Sequence, residues 1–240
     1  MSEPARPRSG GWKTGLIAGL LGVLIGAVAM AAASGYFVRS YLLGHPEVIP
    51  EAMQRLQQRE TASAVGQNRR AIETPFHGAW AGARDGDVVL VEFFDYACGF
   101  CRASNGDVDR LLREDDRLKV VWREWPVLGA DSQAAAAASL AAARRDRYKP
   151  FFDRLFATGR PSEENVEQAL RAVGVDPAEA AAFAGSPEVN AELERNHRLA
   201  QSLGASGTPT FIVGDEVLSG AVGYEALRDA IARARAARQG

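Results

Sequence analysis

Cysteine is scarce in this chain: Cys98 and Cys101 are the two among 240 residues. A disulfide-stapled scaffold needs more, and so does a zinc site built from four thiolates. Histidine is scarce too. His45, His77 and His197 are scattered, so a mixed Cys/His zinc site lacks the clustered ligands it would need. Neither charge is in surplus, with 28 Lys and Arg against 30 Asp and Glu. Nucleic acid is therefore not an expected partner, because its binders ordinarily carry a basic excess. With 24 Gly and 11 Pro the chain is neither fibrous nor of low complexity. What is present is ordinary for a globular protein: 47% hydrophobic and 24% charged residues, which excludes a wholly disordered chain. The length allows one domain with an appendage, or two small ones, at about 100–200 residues per domain.

Hydropathy is unevenly distributed. Gly15 to Val38 is an uncharged run of 24 residues, long enough for a bilayer, which takes about 20 apolar residues. Arg6, Arg8 and Lys13 precede it, which keeps the N-terminus cytoplasmic and sends the rest of the chain across the membrane. Two readings fit: a permanent anchor, or a signal peptide cut after Ala33, where Ala31-Ala32-Ala33 offers small residues. The run exceeds the about 7–15 residues of a signal-peptide core, which favours the anchor. Under either reading the remainder lies where disulfide chemistry is permitted.

The expected organisation is a cytoplasmic tail (1–14), a signal anchor (15–38), a helical extension (41–75) and a catalytic domain (76–240). Pro46 suits a first helical turn. Ile49, Met53 and Leu56 recur at i, i+4 and i+7, an apolar stripe on an otherwise polar helix over 46–74. Such a helix is a spacer, or it packs against copies of itself to make a homo-oligomer. Val88 to Phe94 reads as a strand buried on both faces, being a continuous apolar run with one acid. Cys98-Gly99-Phe100-Cys101 follows and opens a helix to about Arg113, and Leu118 to Glu124 is a second strand. From Asp131 to Leu203 the chain reads as helices, with Asp131 or Ser132, Ser162, Asp176 and Ser186 as N-caps. Thr210–Val213 and Glu216–Ser219 flank Gly214-Asp215 as a hairpin, and a last helix runs from Gly223 to about Ala237.

A CxxC pair at a strand-to-helix junction is a strong redox signal. The first cysteine stands at the helix N-terminus, where unpaired N–H groups and the dipole favour a thiolate, lowering its pKa below the free value of about 8.5. Cys98 is thus expected to attack a substrate sulfur, and Cys101, one turn along and more buried, to resolve the mixed disulfide. A structural disulfide would close too short a loop to contribute much. This chemistry needs no metal or organic cofactor. Glu92 lies six residues before Cys98 inside the apolar strand. Buried there, its pKa should rise, and it could accept or return the resolving-step proton; the plainer alternative is a solvent-facing edge position. Pro209 opens a strand, where proline lacks a ladder donor. A cis Thr208–Pro209 bond would explain it and would expose the Thr208 backbone to an extended substrate; the plainer alternative is an ordinary trans proline.

These residues resemble the thioredoxin superfamily, and within it the DsbA-like periplasmic thiol-disulfide oxidoreductases. The resemblance covers roughly residues 76–237. It rests on Val91 to Cys101, on Trp125-Pro126-Val127-Leu128-Gly129 and on Gly207-Thr208-Pro209-Thr210-Phe211. It implies an α/β thioredoxin fold with a helical insertion at about 130–204. It implies Cys98 as nucleophile, Cys101 as resolving cysteine, Glu92 as buried acid, and Thr208 with a cis Pro209 facing the dithiol. The segment from His45 is similar to the extension of the copper-sensitivity and outer-membrane-associated DsbA-like subgroup, some of which oligomerise through it. Gly99-Phe100 replaces the Pro-His of typical DsbA oxidases. Without that His one contact to the thiolate is missing, which implies a weaker oxidant, while Gly-aromatic with Thr before the proline is more like the family's isomerases.

The leading expectation is a membrane-tethered, periplasm-facing oxidase or isomerase. It acts on exported cysteine-containing proteins and is served by a membrane or periplasmic redox partner. The alternatives are a dedicated reductant for cytochrome maturation or metal resistance, and an oligomeric holdase.

Overall fold

The computed structural model describes residues 11–238 and, within the first helix, part of the side chains. The chain falls into two compact units, Met1–Gln57 and Gln58–Gly240. The first holds α1 (Gly11–Gly44) and the start of α2 (Val48–Glu73). Residues 1–10 of the expected tail lie outside the described residues. Among the described residues no helix is long and apolar enough to cross a membrane. Part of the Gly15–Val38 run has its side chains outside those described. Ile49, Met53 and Leu56 are exposed on α2. Farther along the same helix Val65 and Ile72 are buried in the second unit, so that unit begins well ahead of the residue-76 boundary expected from sequence.

The second unit is an α/β fold. Its elements are β1 (Trp80–Gly82), β2 (Val88–Phe94), α3 (Gly99–Glu114), β3 (Leu118–Glu124), α4 (Ala130–Arg144), α5 (Tyr148–Thr158), α6 (Glu163–Ala172), α7 (Pro177–Ala184), α8 (Pro187–Ser202), β4 (Thr210–Val213), β5 (Glu216–Ser219) and α9 (Tyr224–Ala237). The sheet order is β1-β3-β2-β4-β5. β2 and β3 pair in parallel, with Glu92 beside Trp122 and Phe94 beside Glu124; the other pairs are antiparallel.

Both faces of the sheet are covered, which is why β2 and β3 read as continuous apolar runs. Val88, Leu90, Phe94, Val120 and Trp122 face α3, α9 and the helical insertion. Val91, Phe93, Val121 and Ile212 face Val65 and Ile72 of α2 and Leu199 of α8. On this second face Arg123 is buried. It donates to Glu192 at 2.8 Å and to the Ile72 carbonyl at 3.0–3.1 Å, and also reaches the carbonyls of Ala71 and Thr74. A single guanidinium therefore satisfies the open C-terminal carbonyls of α2 and pins that helix to β3. Ser162, Asp176 and Ser186 cap α6, α7 and α8 through their side-chain oxygens. The Ala-rich helix differs from expectation: α4 starts after Gly129, and the Ser132 hydroxyl is turned away to Asp95.

Candidate active site

The site is built where β2 ends. After Phe94 the chain makes a tight turn through Asp95, Tyr96 and Ala97, and Cys98 takes the N-cap position of α3 in extended conformation. Its N–H donates to the Asp95 carbonyl at 3.1 Å, and its own carbonyl accepts from Arg102 N–H at 3.2 Å, the first bond of the helix. Neighbouring N–H groups of that first turn are the ones a helix leaves unpaired. Cys101 follows one turn later and is fully enclosed, while Cys98 keeps 6% exposure.

The Thr208–Pro209 peptide is cis. The Cys98 Sγ donates to the Thr208 carbonyl oxygen at 3.2 Å, joining positions 110 residues apart. Glu92 is wholly buried rather than at a solvent edge. Its Oε2 accepts from Trp122 Nε1 at 3.0 Å, and its Oε1 has no hydrogen-bond partner. Burial pushes its carboxyl up to about 8, against a smaller opposing effect of the Trp122 bond. Burial also pushes the Cys101 thiol up, the charge of Glu92 adds to this, and a hydrogen bond from the Asp95 backbone opposes it. The five residues singled out in the sequence thus gather at one end of the sheet, around β2, the start of α3 and the turn into β4.

Two contributors were not apparent from sequence. Trp122 holds Glu92 across the parallel β2–β3 pair, a partner 30 residues away. Asp95 is buried and accepts from four donors: Ala97 N–H and the Ser132 hydroxyl, each at 2.7 Å, Val127 N–H at 2.8 Å and Leu128 N–H at 2.9 Å. An Asp just before a tight turn that opens a helix is a local signal for such bonding, since its side chain reaches the N–H two residues on. The long-range half of the cluster carries no such signal.

A further buried acid lies at the end of β3. Glu124 accepts from Tyr148 OH at 2.8 Å and from Ser139, and burial holds its pKa well above the usual carboxylate range. Tyr148 and Ser139 belong to α5 and α4, so this acid fastens the helical insertion to the sheet.

Comparison with known proteins agrees with this geometry. Residues 35–62 match the copper resistance protein ScsC N-terminal domain. A thioredoxin-like oxidoreductase from Silicibacter pomeroyi is 40% identical with a TM-score of 0.63, covering 65% of this chain and 91% of that one. The thiol-disulfide exchange protein alpha-DsbA2 from Wolbachia pipientis is 25% identical with a TM-score of 0.69, covering 74% of this chain and 97% of that one. Among curated proteins, the Na(+)/H(+) antiporter NhaA of Herminiimonas arsenicoxydans is 33% identical over 161 residues, 66% of this chain and 25% of that protein. The chain thus spans about a quarter of the length of the curated relatives it matches. Residues 89–232 match the DSBA-like thioredoxin domain. Because that match takes in more than half of the chain and both cysteines, the protein belongs to the DSBA-like thioredoxin domain family.

Proposed function

We propose that this protein exchanges disulfides with exported, cysteine-containing proteins on the periplasmic side of the inner membrane, tethered by the Gly15–Val38 run, with Cys98 as nucleophile and Cys101 as resolving cysteine. The observation that carries the reading is the Cys98 sulfur at the start of α3, 3.2 Å from the Thr208 carbonyl oxygen. The basic residues ahead of the apolar run support the topology.

In the oxidising direction a substrate thiolate attacks Cys98 of the Cys98–Cys101 disulfide. The S–S bond breaks, a mixed disulfide forms, and Cys101 leaves as a thiolate. Glu92, still protonated at neutral pH, supplies the proton that returns Cys101 to the thiol. A second substrate thiolate then attacks the substrate sulfur of the mixed disulfide and releases Cys98 as thiolate. Two electrons pass from the substrate dithiol to the enzyme. The redox partner takes them away by the same exchange, and the isomerase direction starts from the Cys98 thiolate. Pro209 and the Thr208 backbone line the approach and hold an extended substrate beside Cys98.

A dedicated reductant is the second reading. It is favoured by Phe100, which is largely exposed and puts no hydrogen-bond donor next to Cys98. The reduction potential separates the two, since values near about −270 mV belong to reductants and near about −120 mV to oxidants. We further propose that exposed Ile49, Met53 and Leu56 pack against copies of this chain. Catalysed oxidation or reshuffling of a reduced protein, lost in Cys98→Ser, tests the main reading; activity retained in that variant overturns it.

A further inference from the structure

Asp95 ties the turn ahead of the dithiol to a second segment of the chain. Its carbonyl takes the Cys98 N–H, and its carboxylate takes Ala97 N–H within the turn. The remaining acceptor positions reach across to a different loop, taking Val127 and Leu128 N–H and the Ser132 hydroxyl. A carboxylate has about four lone-pair sites, and all are used. This one spends three of its four bonds on a segment 32–37 residues away.

That segment has an unusual surface. Among the described residues of the second unit, the exposed large apolar side chains are Phe100 (69%), Val127 (44%) and Leu128 (52%). Phe100 stands between the two cysteines, and Val127 and Leu128 are the residues whose backbones Asp95 holds. Exposed apolar groups gathered at one place on a folded unit mark a binding surface rather than a random scatter. Here that surface adjoins the nucleophile.

We propose that Asp95 is a positioning residue for the exchange reaction: its carboxylate fixes the Val127–Leu128 loop against the dithiol turn, so that a polypeptide with apolar residues beside its cysteine is held for reaction at Cys98, whereas a small thiol gains nothing. This rests on the oxidoreductase reading above. Asn at this position would turn an NH2 group toward N–H donors and unfasten one side of the clamp.

The test compares two probes on the full chain: a peptide bearing two cysteines flanked by Leu and Phe, and glutathione. Asp95→Asn is expected to lower the peptide-to-glutathione ratio of second-order rate constants by about tenfold or more, mainly through a raised KM for the peptide. V127S/L128S leaves the backbone donors in place and is expected to lower the ratio likewise; it decides alone if Asp95→Asn does not fold. An unchanged ratio in either variant, or equal losses with both probes, overturns the proposal. If the unaltered protein reacts with both probes and the ratio resists substitution, the role of Asp95 fails alone. Reaction with neither probe overturns the oxidoreductase reading and this proposal with it.

Discussion

The Cys98 sulfur lies 3.2 Å from the main-chain oxygen of Thr208, the residue that precedes cis Pro209. The contact is with backbone, so it survives any side chain at 208 that leaves the turn intact. Thr208→Ala is therefore expected to slow exchange with a peptide substrate only a few-fold, the scale of one lost side-chain contact of about 1 kcal/mol. Stopped-flow fluorescence of the exchange checks this, and a loss as complete as that of Cys98→Ser would assign the work to the Thr208 hydroxyl.

Glu92 should make the fold less stable as pH rises. Its carboxyl keeps its proton to about 8 in the folded chain, against an ordinary value of 4.5. Between those values the folded state binds more protons than the unfolded one, so stability is fully present below the lower value and is lost as pH climbs through the higher. At about 1.4 kcal/mol per tenfold change in proton affinity, the loss is of the order of a few kcal/mol. Glu92→Gln removes it. Urea denaturation at pH 5, 7 and 9 is expected to show the variant gaining on the parent up to about pH 8 and holding its lead above. Parallel pH profiles would contradict the buried-acid account.

The same substitution should slow chemistry. With no acid to protonate the departing Cys101 thiolate, Glu92→Gln is expected to slow mixed-disulfide formation from the oxidised enzyme by roughly tenfold to a hundredfold below pH 8. The parent's alkaline limb near that pH should vanish in the variant. An unchanged rate–pH profile would remove Glu92 from the proton path.

The exposed stripe of α2 predicts assembly. Ile49, Met53 and Leu56 present apolar side chains to solvent at helical spacing. Ile49→Ser, Met53→Ser and Leu56→Ser together are expected to shift the full chain to a lower mass by light scattering, with glutathione exchange as a check on the second unit. A monomeric parent would contradict the proposal.

Much of the fold was legible because its signals are local. Burial on both faces writes continuous apolar runs into β2 and β3, and the caps of α6, α7 and α8 lie next to the turns they start. Both cysteines were legible for the same reason. Trp80–Gly82 was not, because a three-residue edge strand has no periodicity and depends on pairing with β3. Ser132 reads as a cap from sequence, yet it bonds Asp95, 37 residues earlier. Asp95 itself and the Trp122–Glu92 bond follow from chain segments brought together only by the fold.

The most direct test of the account is to trap the reaction halfway. In Cys101→Ala the resolving thiol is absent, so a substrate cysteine captured by Cys98 has no intramolecular exit. Mass spectrometry after incubation with a disulfide-bearing peptide is predicted to find a stable adduct on Cys98, released by dithiothreitol and absent from Cys98→Ser. No adduct on Cys98 in Cys101→Ala would contradict the account.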